Sequence, residues 1–127
     1  MKKVVFSNNG PKPVGPYSQA VRVGNILFIS GMIPIDPASE KLVEGEIEQM
    51  TERILENIKI ILNSENLSME NIVKTNLFLK DMQMFGRVNS VYEKYFKRNP
   101  PARSAVGVSA LPKNAEIEIE AIAYYEN

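Results

Sequence analysis

Residues 100–123 read PPARSAVGVSALPKNAEIEIEAIA, and this stretch decides the fold class. Pro100 and Pro101 stiffen the backbone ahead of a first extended run, 102–108. A second run, 116–125, alternates: Ile117, Ile119, Ala121 and Ala123 make one face, while Glu116, Glu118, Glu120, Ile122 and Tyr124 make the other. Both runs are predicted to be strands, paired with each other across the loop 109–115. The second face is not simply polar. If helices cover one side of the sheet, the apolar part of the opposite side needs another cover, and a second copy of the chain is the economical one.

Working upstream, Val73, Thr75, Leu77 and Leu79 alternate with Lys74, Asn76, Phe78 and Lys80, which predicts a strand over 72–80 after a short turn capped by Ser68. Asp81 is expected to cap a helix carrying Met84, Phe85, Val88, Val91, Tyr92 and Tyr95, ended by Lys97 and Arg98 before the two prolines. Ile47, Met50, Ile54, Ile58 and Ile61 recur at three- and four-residue steps, which predicts an earlier helix with one covered face. Residues 34–45, with Pro34, Asp36, Pro37, Ser39 and Gly45, read as an irregular connection. Gly24-Asn25 between two β-rich runs predicts a hairpin of 20–23 and 26–30. The order ββ, α, β, α, ββ is an α+β domain, two helices on one face of a mixed sheet, and it takes up the whole of 1–127.

Composition removes chemistry more sharply than it supplies it. Cysteine, histidine and tryptophan are absent. No thiol nucleophile, Ser-His-Asp relay or His/Cys zinc site can be built, and no acidic loop has calcium-site spacing, so a metal is not expected. Lysine plus arginine and aspartate plus glutamate number 15 each, so no net field draws the chain to nucleic acid. The opening residues lack the longer apolar run of a secretory signal, and no segment has bilayer-spanning length. The expectation is a soluble, cytoplasmic protein.

What remains is carboxylate, hydroxyl, amine, guanidinium and backbone chemistry. Arg103, on stiff backbone at the start of a strand, suits a carboxylate receptor, because its planar fork offers two parallel donors and stays charged. The same pattern fits an arginine paired with Glu118 or Glu120 on a neighbouring strand. Glu118 beside an arginine could orient water or pass a proton, although alternating glutamates equally describe a solvated face. Tyr17, in the turn Gly15-Pro16-Tyr17, presents an aromatic hydroxyl. Ser30-Gly31 offers a hydroxyl and an unhindered amide at a strand end, and Asn89 is an amide within an apolar helix pattern. Each has an ordinary structural use as well. The Met50, Met69, Met82 and Met84 group fits core or surface filling better than a binding box.

Four motifs in order, GPYSQA (15–20), ISGMIP (29–34), VNSVYEKYF (88–96) and the 100–123 stretch, resemble the RidA/YjgF family of reactive-intermediate deaminases. The resemblance implies a chorismate-mutase-like fold assembled as a homotrimer with inter-subunit clefts. It implies hydrolysis of 2-iminobutanoate and 2-iminopropanoate, released by pyridoxal-phosphate dehydratases, to 2-keto acids and ammonia, with no cofactor. By position, Arg103 is similar to the family's carboxylate-binding arginine and Glu118 to its water-orienting acid. Tyr17, Ser30, Gly31, Asn89 and the Ala105 amide fall where the family has cleft residues. Ala105 stands where cysteine is frequent, and Met32 where glutamine is. A non-catalytic, carboxylate-binding or chaperone-like trimer is the alternative reading. An RNA-cleaving protein is disfavoured by neutral charge and absent histidine.

Overall fold

A computed structural model describes residues 1–126. In chain order the elements are β1 (Lys3–Val5), β2 (Ala20–Val23), β3 (Ile26–Met32), β4 (Ile35–Asp36), β5 (Lys41–Leu42), α1 (Ile47–Ser64), β6 (Ile72–Leu79), α2 (Phe85–Tyr95), β7 (Ala102–Gly107) and β8 (Ile117–Tyr124). Six strands form one mixed sheet in the order β1-β2-β3-β8-β6-β7, and β4-β5 is a separate two-strand ribbon inside the expected irregular connection. The α+β class and the two helices on one sheet face are as the sequence predicts.

The hairpin β2-β3 turns at Gly24, whose φ of +58° is the left-handed conformation a two-residue hairpin turn requires. β3 runs two residues past its expected end. Its register against β8 shifts between Ile29 and Met32, so Ser30 and Gly31 form a bulge. Asp81 caps a single tight turn, Met82–Met84, its carboxylate accepting from Gln83 N–H at 2.9 Å; α2 itself starts at Phe85. The helix ends at Tyr95, ahead of the basic pair.

One expectation fails at the sheet's edge. β7 does not pair with β8: it runs parallel to β6, which separates the two. The reason is the connection. A strand leaving β6 through a packed helix returns alongside β6 in the same direction, and β8 then takes β6's other, antiparallel side.

The core lies between the helices and one sheet face. Leu27, Ile54, Leu55, Ile58, Ile61, Leu62, Leu77, Leu79, Ile117 and Ile119 are fully buried there, each stabilising the fold by about 1.5–3 kcal/mol relative to exposure. Arg87 fastens α2 to the start of α1, donating to Glu46 at 2.7 Å and Glu48 at 2.8 Å. The other face is bare. Val21 pairs with Phe28 and Phe28 with Ile122, and Phe28 is 47% exposed. Among the described residues no helix is long and apolar enough to cross a membrane.

Candidate active site

The sheet separates the expected site residues into two groups. Arg103 pairs with Thr75 and Glu118 with Phe78 on the same strand β6. Positions 75 and 78 differ in parity, so their side chains, and those of their partners, project from opposite faces. Within one chain Arg103 and Glu118 are therefore kept apart by two strand spacings, roughly 9.5 Å, and by the sheet itself. This excludes their pairing with each other.

On the helix-covered face, Arg103 is held by three residues of α2. Its Nη1 donates to Asn89 Oδ1 at 2.7 Å, and its guanidinium carbon lies 5.0 Å from the Phe85 ring centre and 4.8 Å from that of Tyr92. Phe85, Asn89 and Tyr92 follow i, i+4, i+7 spacing, which places all three on one side of the helix above β7. Tyr92 is fixed in turn by a 2.7 Å hydrogen bond shared with the buried Thr75 hydroxyl. Burial raises the Tyr92 hydroxyl's pKa, so it stays neutral. Every group holding the guanidinium is uncharged, and among the described residues it forms no ion pair. The charge is oriented, exposed and unspent.

Ala105 follows Arg103 on the same face, paired with Leu77, its methyl against the core. Val108 N–H donates inward to the Leu79 carbonyl at 2.9 Å. By strand alternation the amides of Arg103 and Ala105 point away from β6, along an edge no strand occupies.

On the opposite face, Glu118, Gly31, Ser30 and Tyr17 line one cavity of about 590 Å³ together with Lys12, Met32 and Lys113. The bulge brings Gly31 against the Glu118 carboxylate, where a Cβ would meet Oε2 at 2.6 Å. Burial, and after it the charge of Glu120, raises the Glu118 pKa above the usual carboxylate range. Ser30 Oγ donates to the Ser18 carbonyl at 2.6 Å, so toward a ligand it can only accept. Tyr17 is half exposed, its hydroxyl accepting weakly from Val14 N–H at 3.4 Å. Sequence reading missed Phe85 and Tyr92 as supports of Arg103, although their spacing about Asn89 was the available signal. It also missed Gln19, a buried polar residue of this cavity's lining.

The expected residues thus fall into two groups: Arg103, Asn89 and Ala105 on one face, and Tyr17, Ser30, Gly31 and Glu118 on the other. A family profile described as Endoribonuclease L-PSP matches residues 7–125. A RutC family protein of Pyrococcus horikoshii is 53% identical over 126 residues, covering 99% of this chain and all of that one. The crystal structure of the YjgF gene product from E. coli superposes with a TM-score of 0.93 at 38% identity, over 98% of this chain and 99% of the other. E. coli TdcF with bound serine gives a TM-score of 0.93 at 35% identity, again over 98% and 99%.

Proposed function

The chain belongs to the RidA/YjgF (Endoribonuclease L-PSP) family, and on that premise we propose that it is a 2-imino acid deaminase working in clefts between subunits of a homotrimer. The observation that carries the reading is the guanidinium of Arg103, held in place by neutral groups with its charge unspent, on the sheet face opposite Glu118. One chain holds two halves of a site. A neighbour packed on the apolar open face would bring its Glu118 half to this chain's Arg103 half and bury Phe28 and Ile122 in doing so.

In the assembled cleft Arg103 grips the substrate carboxylate through two parallel donors, with the Ala105 amide as a third. That fixes the adjacent imine carbon in one place and turns a random encounter with water into an oriented one. The neighbour's Glu118 takes a proton from that water as its oxygen bonds to the imine carbon. Glu118 gives that proton to the nitrogen as the C=N π bond opens, which leaves a carbinolamine. A second transfer, from the carbinolamine hydroxyl through Glu118 to the amino group, lets the C–N bond break as the C=O bond forms, and a 2-keto acid and ammonia leave. The raised pKa suits this exchange, since an acid and base catalyst works best with a pKa near the working pH. Imines hydrolyse unaided, so about a hundredfold acceleration from one placed carboxylate is sufficient chemistry. The bound serine of TdcF supports a small amino-acid-like ligand. The formal charge of zero tells against RNA as substrate, whatever the profile's description.

The test is 2-ketobutyrate formation from the intermediate released by a threonine dehydratase. Arg103→Ala is expected to abolish the acceleration and leave the oligomer intact. Undiminished turnover by that variant removes the mechanism, and binding of a keto acid without acceleration by the natural protein moves the assignment to a non-catalytic carboxylate-binding trimer.

A further inference from the structure

One wall of the Glu118 cavity is loop rather than sheet: the connection between β1 and β2, which supplies Lys12, Val14 and Tyr17. Its two parts are held differently. The part nearest β1 is tied down by a single side chain. Gln19, 2% exposed, accepts from Ser7 N–H through Oε1 at 2.6 Å and donates through Nε2 to the carbonyls of Ser7 at 3.1 Å and Pro11 at 2.9 Å. Both amide protons are used. The backbone carbonyl of Gln19 also accepts from Ser30 N–H at 3.0 Å, so the residue gripping the loop is bonded to the cavity's floor. Gly10 completes the seat, since a Cβ there would meet Ile61 Cδ1 at 3.1 Å and Gln19 Nε2 at 3.3 Å.

Between Pro11 and Ser18, whose carbonyl accepts from Ser30 Oγ at 2.6 Å, the ties to the rest of the chain stop. Val14, Gly15, Pro16 and Tyr17 are exposed, and their hydrogen bonds among the described residues are to one another: Tyr17 N–H to the Gly15 carbonyl at 2.9 Å, and Val14 N–H to the Tyr17 hydroxyl at 3.4 Å. The position of this stretch over the cavity therefore depends on its two ends, Pro11 held by Gln19 and Ser18 held by Ser30, and without the grip of Gln19 it would be free to swing about Ser18. A buried group with three hydrogen bonds and no charge is a costly device to keep unless all three partners stay in place.

We infer that Gln19 is the positioning residue of this wall: it acts through the loop, setting where Lys12, Val14 and Tyr17 meet the substrate. The inference rests on the deaminase reading for its substrate and on geometry for everything else. Replacing the amide leaves Glu118 and Arg103 where they are. The loss therefore falls on substrate binding rather than on the chemical step.

The experiment compares Gln19→Ala, Gln19→Glu and Thr51→Ala in the full oligomer. Thr51 is the control, a buried hydroxyl bonded to the Ile47 carbonyl at 2.8 Å and absent from the cavity lining. Gln19→Ala is expected to weaken amide exchange protection at Ser7 by at least about tenfold and to raise KM for 2-iminopropanoate by about tenfold, with kcat within about threefold. Thr51→Ala moves neither. In Gln19→Glu the carboxylate faces two carbonyls with no proton to give, so its KM should fall toward the natural value as pH is lowered and the carboxyl takes up a proton, whereas Gln19→Ala shows no such recovery. A loosened Ser7 with unchanged KM overturns the inference, as does a kcat loss as large as that of Glu118→Gln. If the natural protein accelerates no imine, the deaminase reading falls, and the same comparison is made on serine affinity. An unchanged Kd in Gln19→Ala then rejects the inference as well.

Discussion

Adding one methyl group at Gly31 should disable the protein without unfolding it. The Cβ of Gly31→Ala would lie 2.6 Å from Oε2 and 2.9 Å from the carboxyl carbon of Glu118, so the carboxylate must withdraw by roughly 0.8 Å to regain ordinary contact. No residue other than Glu118 comes nearer than 3.3 Å. The backbone at Gly31 is outside the left-handed region, so alanine strains no dihedral, and the lost chain entropy of glycine favours the variant by about 0.4–1 kcal/mol. Since a misplacement of about 1 Å at a reacting group costs about a hundredfold in rate, kcat for 2-iminopropanoate should fall by roughly that factor. Urea unfolding midpoints should be unchanged or slightly higher. Pairing the substitution with Glu118→Asp, whose carboxylate sits one methylene closer to its own strand, should relieve the collision, so the double variant is expected to lose less than the product of the single losses. A Gly31→Ala protein with undiminished kcat would refute the claim that the bulge sets the place of the Glu118 carboxylate.

Stability should depend on pH through Glu118. Burial, and secondarily Glu120, makes the folded state bind this proton more tightly than the unfolded chain does, so the contribution is full below the unfolded glutamate value of about 4.3 and is lost as pH rises through the raised folded value. Glu118→Gln should therefore gain on the natural protein in urea titrations run from acid to neutral pH, and parallel curves would contradict it. Tyr92→Phe strands the buried Thr75 hydroxyl and should cost about 1–3 kcal/mol. Because Arg103 keeps a ring beneath it, KM should hold, and Thr75→Val added to Tyr92→Phe should return part of the lost stability; simple addition of the two losses would show that the hydrogen bond is not the cause. Ile122→Asp places a charge on the open sheet face beside Phe28. Sedimentation should find folded monomers and the coupled assay no acceleration, whereas an active monomer would mean that one chain completes its own site.

Local patterns carried most of the secondary structure. The 3.6-residue spacing of Ile47, Ile54, Ile58 and Ile61 marks α1, and the period of two in Ile117, Ile119, Ala121 and Ala123 marks the buried face of β8. β1 escaped because three residues, Lys3–Val5, are too few to show a period. The bulge escaped because Ser30-Gly31 reads equally well as a strand end, and only the register against β8 distinguishes the two.

The sequence by itself determined the two long helices and the longer strands, the helices' place on one side of the sheet, the absence of any His or Cys chemistry, and the candidate residues, Arg103 and Glu118 first among them. Only the tertiary structure decided that β6 lies between Arg103 and Glu118 and that the two side chains leave opposite faces. The physical reason is that periodicity is a property of each strand alone. Which strand lies beside which depends on how α2 carries the chain across the sheet, a long-range packing outcome that no stretch of residues encodes locally.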